Sequence, residues 1–257
     1  MEQNALYCEI DGIKLHYDRI GEGEPVLILH GWGANIEAVR PIMNCMAGLG
    51  RAAIALDFPG FGETPEPPEP WGVPEYAALT RKFMEAQGLR GCDLICHSFG
   101  GRITILLASE DPKLFRRLVL VDAAGIRPKR TVGYYLRTYS YKLAKRLARF
   151  AWIDRLLHFS EKQKKAGSAD YRALRSDVMR ATFSRVVNLD LTGRLGRIEN
   201  ETLLVWGDRD TATPLSDAKL MERRIKRAGL AVLEGAGHFS YAEKYAQFCA
   251  VMKAFFA

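Results

Sequence analysis

The segment Cys96-His97-Ser98-Phe99-Gly100-Gly101 has the clearest potential for chemistry in this sequence. It follows an apolar run that is typical of a buried strand, and it precedes residues 102–106, which favour a helix. A serine between a strand and a helix can be held in a strained turn that lifts its hydroxyl above the sheet. The start of the helix also directs N–H groups and a positive partial charge toward the same place. Ser98 is therefore predicted to be a nucleophile, with a helix N-cap as the simpler alternative.

A serine hydroxyl is a weak nucleophile, so it needs a neighbouring base. Of the five histidines, His238 is the one that lies in a loop just past the last predicted strand, which would place it beside Ser98. Its acidic partner is predicted to be Asp210, in the loop after the preceding strand. Asp122, at the end of another strand, is the rival candidate for that acid. Asp208 is interpreted as a turn or surface residue.

Acyl transfer also needs hydrogen-bond donors for the oxygen that becomes negatively charged. The backbone N–H of Phe99, directly after Ser98, is one candidate. The second candidate is the backbone N–H of Trp32, in the loop sequence His30-Gly31-Trp32-Gly33. These two amides are predicted to form an oxyanion hole.

Together these motifs resemble the α/β-hydrolase fold superfamily, and within it the serine hydrolases with an inserted helical cap. The resemblance rests on residues 30–33, 57–62, 96–101, 207–214 and 237–238, which occur in the family's order. It implies a Ser98, Asp210, His238 triad and no cofactor. One position departs from the family pattern G-x-S-x-G, because Cys96 stands where glycine is usual two residues before the serine.

Short apolar runs bounded by turn residues predict the strands that would position these loops. They span 5–10, 13–20, 25–30, 52–57, 92–97, 116–122, 201–206 and 230–234, and Asp11-Gly12 between the first two predicts a type I′ hairpin. Helical patterns alternate with the later strands at 35–47, 76–87, 99–109, 215–228 and 241–255. The alternation predicts an α/β fold with a mostly parallel central sheet of about eight strands and helices on both faces.

Residues 127–198 interrupt the alternation after the sixth strand and carry 18 Lys and Arg against 5 Asp and Glu. Apolar residues at helical spacing predict several helices in this block. It is interpreted as an inserted helical cap on a core formed by residues 1–126 and 199–257. Its basic character fits a solvated surface. The sharper alternative is that some of these cations, with Arg127, Lys129 and Arg130 the best placed, bind an anionic group of the substrate. A third alternative is attraction to an acidic membrane surface or to nucleic acid. Phe61, Tyr134 and Tyr135 are predicted to line the substrate pocket.

Length and composition exclude several other classes of protein. The chain has 257 residues, of which 48% are hydrophobic and 26% charged, as in an ordinary globular protein. No apolar stretch is long enough to span a membrane, and the first residues do not resemble a signal peptide. The five cysteines are scattered and odd in number, which favours free thiols and a cytoplasmic location. We expect no metal, no nucleic-acid partner and no integral membrane association, while the oligomeric state is left open.

The activity expected from these residues is hydrolysis of small to medium carboxylic esters through an acyl-enzyme. A C–C bond hydrolase of ring-cleavage products and a thioesterase would use the same triad and stay open as alternatives. A slowly hydrolysing ligand receptor is the non-enzymatic alternative, and it would stall after about one turnover. A serine at this position argues against haloalkane dehalogenases and epoxide hydrolases, which use an aspartate there.

Overall fold

An eight-stranded sheet forms the centre of the computed structural model, which describes residues 6–127 and 176–257. Its strands are β1 Leu6–Ile10, β2 Ile13–Ile20, β3 Pro25–Leu29, β4 Ala52–Leu56, β5 Cys92–His97, β6 Phe115–Val121, β7 Glu201–Gly207 and β8 Ala228–Leu233. The spatial order is β1-β2-β4-β3-β5-β6-β7-β8. Strand β2 pairs antiparallel with β1 and β4, and every other neighbouring pair is parallel. The predicted mostly parallel sheet of about eight strands is confirmed.

The turn between β1 and β2 has the backbone that its sequence predicts. Asp11 and Gly12 adopt φ values of 52° and 77°, and Ile10 pairs with Ile13 across the turn. Two consecutive residues with positive φ are the mark of a type I′ turn, whose twist matches that of the flanking strands. The hairpin prediction is therefore confirmed.

The described helices cover both faces of the sheet. They are α1 Ile36–Gly48, α2 Val73–Ala86, α3 Phe99–Glu110, α4 Asp177–Asn188, α5 Leu215–Arg224, α6 Ser240–Glu243 and α7 Tyr245–Phe256, with a 3₁₀ helix at Thr192–Arg197. Buried side chains of α1 and α7 pack in one apolar cluster, whereas those of α2, α3 and α5 pack in another. Alternate residues of the central strands belong to the two clusters. Leu27 and Leu29 pack on one face of the sheet, and Val26 and Ile28 pack on the other.

Two of the helices depart from their predicted spans, and each departure has its own cause. Helix α5 ends at Arg224 instead of continuing to residue 228, since Ala228 already pairs with Thr202 at the start of β8. The predicted terminal helix is split at Lys244, whose φ of −125° interrupts the helical path between α6 and α7.

Residues 128–175, which include Tyr134 and Tyr135 and most of the predicted cap, lie outside the described residues. The described end of the predicted cap contains α4 and the 3₁₀ helix. Thr182 of α4 accepts a hydrogen bond from the Trp71 amide at 3.0 Å. Leu195 of the 3₁₀ helix is buried in the same apolar cluster as α3. These contacts attach the described end of the predicted cap to the rest of the fold, α4 through the Trp71 segment and the 3₁₀ helix through the apolar cluster of α3.

Candidate active site

Ser98 sits in a strained turn between β5 and α3. Its φ of 49° and ψ of −111° are unusual for a residue with a side chain. Three backbone hydrogen bonds fix the turn: the Ser98 amide donates to Val121 O, and its carbonyl accepts from Gly101 and Ala124. A Cβ on Gly100 would lie 2.7 Å from Leu29 O, so glycine is required there for α3 to approach β3. The predicted strand–turn–helix geometry is present, and the surrounding contacts hold it.

The loop after β8 brings His238 against Ser98. The His238 Nε2 atom lies 2.9 Å from Ser98 Oγ. On the other side of the ring, His238 Nδ1 lies 2.8 Å from Asp210 Oδ2. The His97 ring is hydrogen-bonded through Nε2 to the His238 carbonyl at 2.8 Å, which holds the loop in place. The structure thus brings together the three residues that the sequence singled out.

The Asp210 carboxylate is surrounded by donors from its own loop. Oδ1 accepts from the amides of Ala212 at 2.7 Å and Thr213 at 3.0 Å, and the Thr213 hydroxyl lies 2.6 Å from Oδ2. Burial alone would raise the pKa of Asp210, but the hydrogen bonds from His238 and Thr213 outweigh it and lower the pKa. Asp210 is therefore held as an oriented anion facing the His238 ring.

The rival carboxylate, Asp122, ties two loops together. Its Oδ1 accepts from the Gly207 amide at 2.9 Å and its Oδ2 from the Ser240 amide at 3.1 Å. No hydrogen bond joins it to His238 among the described residues. Burial raises the pKa of Asp122 to about 7, against the opposing effect of the hydrogen bonds at Ser240 and Gly207. Asp208, in turn, bonds the Gly235 amide at 2.6 Å, as a turn residue would.

The two backbone amides expected to form an oxyanion hole are unengaged in the described structure. Phe99 is the first residue of α3, so its N–H has no acceptor within the helix. The Trp32 N–H has no hydrogen-bond partner among the described residues. Gly31 brings this loop close to Ser98, since a Cβ on it would lie 3.2 Å from Ser98 Cβ. Both amides are thus available beside the serine.

The two strand-end histidines are buried hydrogen-bonding residues. His30 is bonded through Nδ1 to Gly31 O at 2.8 Å and accepts from the Phe58 amide at 3.0 Å. Burial lowers the pKa of His30, and it lowers that of His97 to about 3. Both rings are therefore neutral at ordinary pH, and both brace the loops around Ser98.

A cavity of about 1050 Å³ opens beside the serine. Its described lining includes Ser98, His238, Trp32, Phe99 and Arg127. The predicted pocket residue Arg127 thus reaches the cavity. Phe61 does not line it among the described residues: its ring packs behind Trp32 at a centroid distance of 4.9 Å.

Comparisons with known proteins identify the family of this chain. A model of the alpha/beta hydrolase fold matches residues 24–245. The chain belongs to this family. It is similar, with 28% identity over 96% of its length and 94% of the other chain, to a 2-hydroxy-6-oxo-2,4-heptadienoate hydrolase from Pseudomonas putida. It is also 25% identical, over 95% of its length and 99% of the other chain, to a pimeloyl-[acyl-carrier protein] methyl ester esterase from Aeromonas hydrophila.

Solved structures share the architecture of this α/β hydrolase. A bromoperoxidase from Bacillus anthracis superimposes with a TM-score of 0.77, over 98% of this chain and 99% of the other, at 18% identity. An enol-lactonase from Burkholderia xenovorans gives a TM-score of 0.75, over 98% and 99% of the two chains, at 17% identity. Identity at this level shows the fold alone.

Several cavity residues were missed or misplaced by the sequence reasoning. Arg102 is buried and lines the cavity. Phe183 of α4 packs on Trp32 at a centroid distance of 5.2 Å and also lines it. Phe239, next to His238, is 46% exposed and lines the same cavity. Its position directly after His238 was the one local signal available, because neighbours of a site residue tend to share its loop.

The described ranges contain no group of three or more His, Cys, Asp or Glu side chains that could hold a metal ion. All five cysteines are free thiols, and Cys96 is buried, which raises its pKa to about 12. Within residues 6–127 and 176–257, no helix combines the length and the apolarity that crossing a bilayer demands.

Proposed function

We propose that this α/β hydrolase cleaves carboxylic esters of small to medium size through an acyl-enzyme, with Ser98, His238 and Asp210 as its triad. The observation that supports the proposal is the unbroken hydrogen-bonded series from Ser98 Oγ through the His238 ring to Asp210 Oδ2, with distances of 2.9 and 2.8 Å. This series stands at the wall of the cavity, where a substrate carbonyl can reach the serine.

In the first half-reaction, His238 Nε2 removes the Ser98 proton as Oγ bonds to the ester carbonyl carbon. The carbonyl π pair moves onto its oxygen, which the amides of Trp32 and Phe99 stabilise. When the carbonyl re-forms, the C–O bond to the alcohol breaks, and the alcohol leaves with the proton from His238. Ser98 then carries the acyl group.

Water completes the cycle. His238 removes a proton from water as it attacks the acyl carbon, and the same imidazole returns that proton to Ser98 Oγ when the carboxylic acid leaves. The net reaction consumes one ester and one water and produces one acid and one alcohol. Asp210 holds the imidazole orientation and stabilises the imidazolium in both halves, and its four hydrogen-bond contacts keep it fixed for that role.

A C–C bond hydrolase is the second candidate, and the similarity to the 2-hydroxy-6-oxo-2,4-heptadienoate hydrolase favours it. The same nucleophile or a water activated by His238 would attack a ketone. The C–C bond would then break with its electron pair on the departing carbon, which would take up a proton, so that a carbon fragment leaves in place of an alcohol. A thioesterase would need no change in the residues above.

Other features complete the proposal. We propose that residues 127–198 cap the cavity and that the substrate is a small molecule. The free thiols support a cytoplasmic location.

The test is hydrolysis of a p-nitrophenyl ester series, acetyl to dodecanoyl, by the wild type and by Ser98→Ala. We expect kcat of the variant to fall about 10⁴- to 10⁶-fold, because the nucleophile is gone. Ser109→Ala is the matched control, since Ser109 is a buried serine of α3 whose hydroxyl donates to Leu106 O in the same helix and which is not part of the described cavity lining.

Three results would contradict the proposal. A Ser98→Ala variant that keeps a tenth of the wild-type rate would exclude Ser98 as the nucleophile. A single burst without turnover would indicate a receptor. Hydrolysis of 2-hydroxy-6-oxo-dienoates without hydrolysis of any ester would favour the C–C bond reaction.

A further inference from the structure

Arg102 is a buried cation with few partners. It lies four residues after Ser98, one turn along α3, and only 5% of it is exposed. Its Nη1 donates to the Leu189 carbonyl at 2.6 Å. A guanidinium has five N–H donors, and the described residues provide no acceptor for the other four. Most of the hydrogen-bonding capacity of this side chain is therefore not used by the described residues around it.

The charge of Arg102 also lacks a carboxylate in direct contact. Burial lowers its pKa to about 10, so it is still a cation at neutral pH. The negative charge of Asp190 acts on it in the opposite direction, but the two side chains form no ion pair within 4.0 Å in the described part of the chain. The Asp190 carboxylate is already bonded to the amide and hydroxyl of Thr192 and to the Arg127 amide.

The two next most shielded arginines among the described residues are paired, which makes Arg102 unusual. Arg51 and Arg117 have side-chain exposures of 11% and 16%, and both form ion pairs with Asp93. Burying a charge without a partner is costly, so buried charges in proteins are normally paired. A binding partner that is absent from the chain itself would explain a cation left in this state.

The cavity is where such a partner would bind. Arg102 lines it together with Ser98 and His238, and Arg127 and Arg223 line it as well. Its lining thus combines the candidate nucleophile with cationic side chains, although Asp217 also lines it. An anion inside the cavity would be held close to the serine.

We propose that Arg102 binds an oxyanion, a carboxylate or a phosphate, carried by the ester substrate at a short distance from its scissile carbonyl. This inference rests on the proposed function and adds the substrate class to it. One turn of helix is about 5.4 Å, so Arg102 can reach an anion separated from the carbonyl by a few methylene groups. The guanidinium fork suits two oxygens of one anionic group.

The experiment compares esters that differ only in charge. Monomethyl esters of succinic, glutaric and adipic acid carry the carboxylate, and the dimethyl esters of the same acids are the neutral references. Methyl esters of ω-phosphonoalkanoic acids of matching length distinguish a phosphate-type ligand from a carboxylate. Proton release measured for each ester gives kcat/KM, and the readout is the ratio of anionic to neutral substrate.

For the wild type we expect this ratio to be about 10 to 100, the effect of one charge-assisted hydrogen-bonded pair. Arg102→Met keeps the apolar stem and should lower the ratio to about 1. Arg102→Lys keeps the charge but loses the fork, so its ratio should fall between the two. Arg90→Met is the control, because Arg90 is exposed and pairs with Asp111 far from the cavity.

Each result decides one of the two proposals. Ester hydrolysis with no anion preference in the wild type would overturn the role of Arg102 and leave the esterase proposal intact, even if Arg102→Met fails to fold. A preference that survives in folded Arg102→Met would overturn it too. If no ester is hydrolysed, the esterase proposal fails, and anion binding by Arg102 is tested separately through the thermal shift that glutarate and inorganic phosphate cause. Stabilisation of the wild type but not of Arg102→Met would support anion binding by Arg102. No stabilisation of the wild type would overturn it.

Discussion

Buried carboxylates near the two ends of strand β5 differ in how their charge is compensated. At the start of the strand, Asp93 is completely buried and accepts hydrogen bonds from the guanidinium groups of Arg51, Arg116 and Arg117. Beyond the carboxyl ends of the strands, Ser98 has a strained backbone, and the buried side chain of Asp122 accepts hydrogen bonds from the Gly207 and Ser240 amides but has no arginine or lysine partner among the described residues. The amino-terminal edge of the sheet therefore holds a buried carboxylate with three cationic partners, whereas Asp122 at the carboxyl-terminal edge has none.

The pKa values of the two aspartates record this difference. Burial would raise the pKa of Asp93, but the hydrogen bonds and charges of Arg116 and Arg117 prevail and lower it. At Asp122, burial prevails over the amide donors and raises the pKa to about 7. Both groups are buried, so the difference comes from the guanidinium partners and not from solvent exposure.

The comparison separates support from function. At the amino edge, Arg51 and Arg117 also bond the carbonyls of Phe256 and Phe255, so Asp93 joins the end of α7 to the sheet. At the carboxyl edge, the cavity is lined by Arg102, whose guanidinium makes one hydrogen bond with the described residues, and by Trp32, whose backbone amide makes none with them. A ligand can supply the hydrogen-bond or ion-pair partners that the fold does not provide. Groups with perturbed pKa values therefore concentrate at functional sites.

The largest effect on stability is expected from Asp93→Asn, which removes the compensation at the amino edge. Three arginines would then surround a neutral amide, and we expect a loss of about 3–5 kcal/mol in the free energy of unfolding. Urea unfolding at pH 7 measures it. Asp11→Asn is the matched control, because Asp11 and its partner Lys82 are exposed and their pair should contribute less than about 1 kcal/mol.

The sign of the pH dependence sharpens this prediction. Because the pKa of Asp93 is lowered by folding, its stabilisation is present above the unfolded pKa of about 3.9 and is lost as the pH falls through the folded pKa. The Asp93→Asn variant should lack that loss. Equal unfolding midpoints for Asp93→Asn and Asp11→Asn would show that the cluster does not stabilise the fold.

Asp122→Asn tests the opposite edge, where the sign is reversed. Folding raises the pKa of Asp122 to about 7, so between about pH 4 and pH 7 the folded state binds more protons than the unfolded state. Wild-type stability should therefore fall across this range relative to Asp122→Asn, by on the order of a few kcal/mol, and the difference should level off above pH 7. Urea unfolding at a series of pH values measures it, and parallel curves for the two proteins would contradict the raised pKa.

The sequence predicts the catalytic candidates at the carboxyl edge but not the buried cation beside them. Ser98, Asp210 and His238 could be predicted because each follows a strand, and the carboxyl ends of parallel strands converge at one edge. The cation at Arg102 could not, because its burial depends on Leu189, which is 87 residues away in the chain. Long-range contacts of this kind leave no local pattern.

Phe61 illustrates a related difficulty. Its motif lies at the carboxyl edge, but the Trp32 ring packs on it, and the described cavity lining includes Trp32 and not Phe61. The end of α5 was also predicted wrongly. Residues 225–228 continue a helical pattern, but Ala228 pairs with β7 and begins a strand. In both places tertiary packing decides between local alternatives of similar energy.

The smallest effect is expected from Thr213→Val, which removes one hydrogen bond from the Asp210 carboxylate at the carboxyl edge. The Thr213 hydroxyl lies 2.6 Å from Asp210 Oδ2 and 2.9 Å from the Asp122 carbonyl, and its single proton makes the stronger bond with the carboxylate. Without it, the pKa of Asp210 should rise toward its ordinary value. We expect kcat on p-nitrophenyl acetate to fall about 10-fold with little change in KM, because Asp210 acts through His238 and not on the substrate.

The pH profile distinguishes this positioning role from a general loss of structure. A less firmly held Asp210 anion should move the acid limb of kcat to higher pH, and Thr213→Ser should restore the wild-type profile because serine keeps the hydroxyl. Thr80→Val is the matched control, since Thr80 is equally a buried threonine but donates to Tyr76 O within its own helix, away from the cavity. If Thr80→Val and Thr213→Val lowered kcat equally, the effect would come from packing, and the Asp210 carboxylate would depend on its amide donors alone.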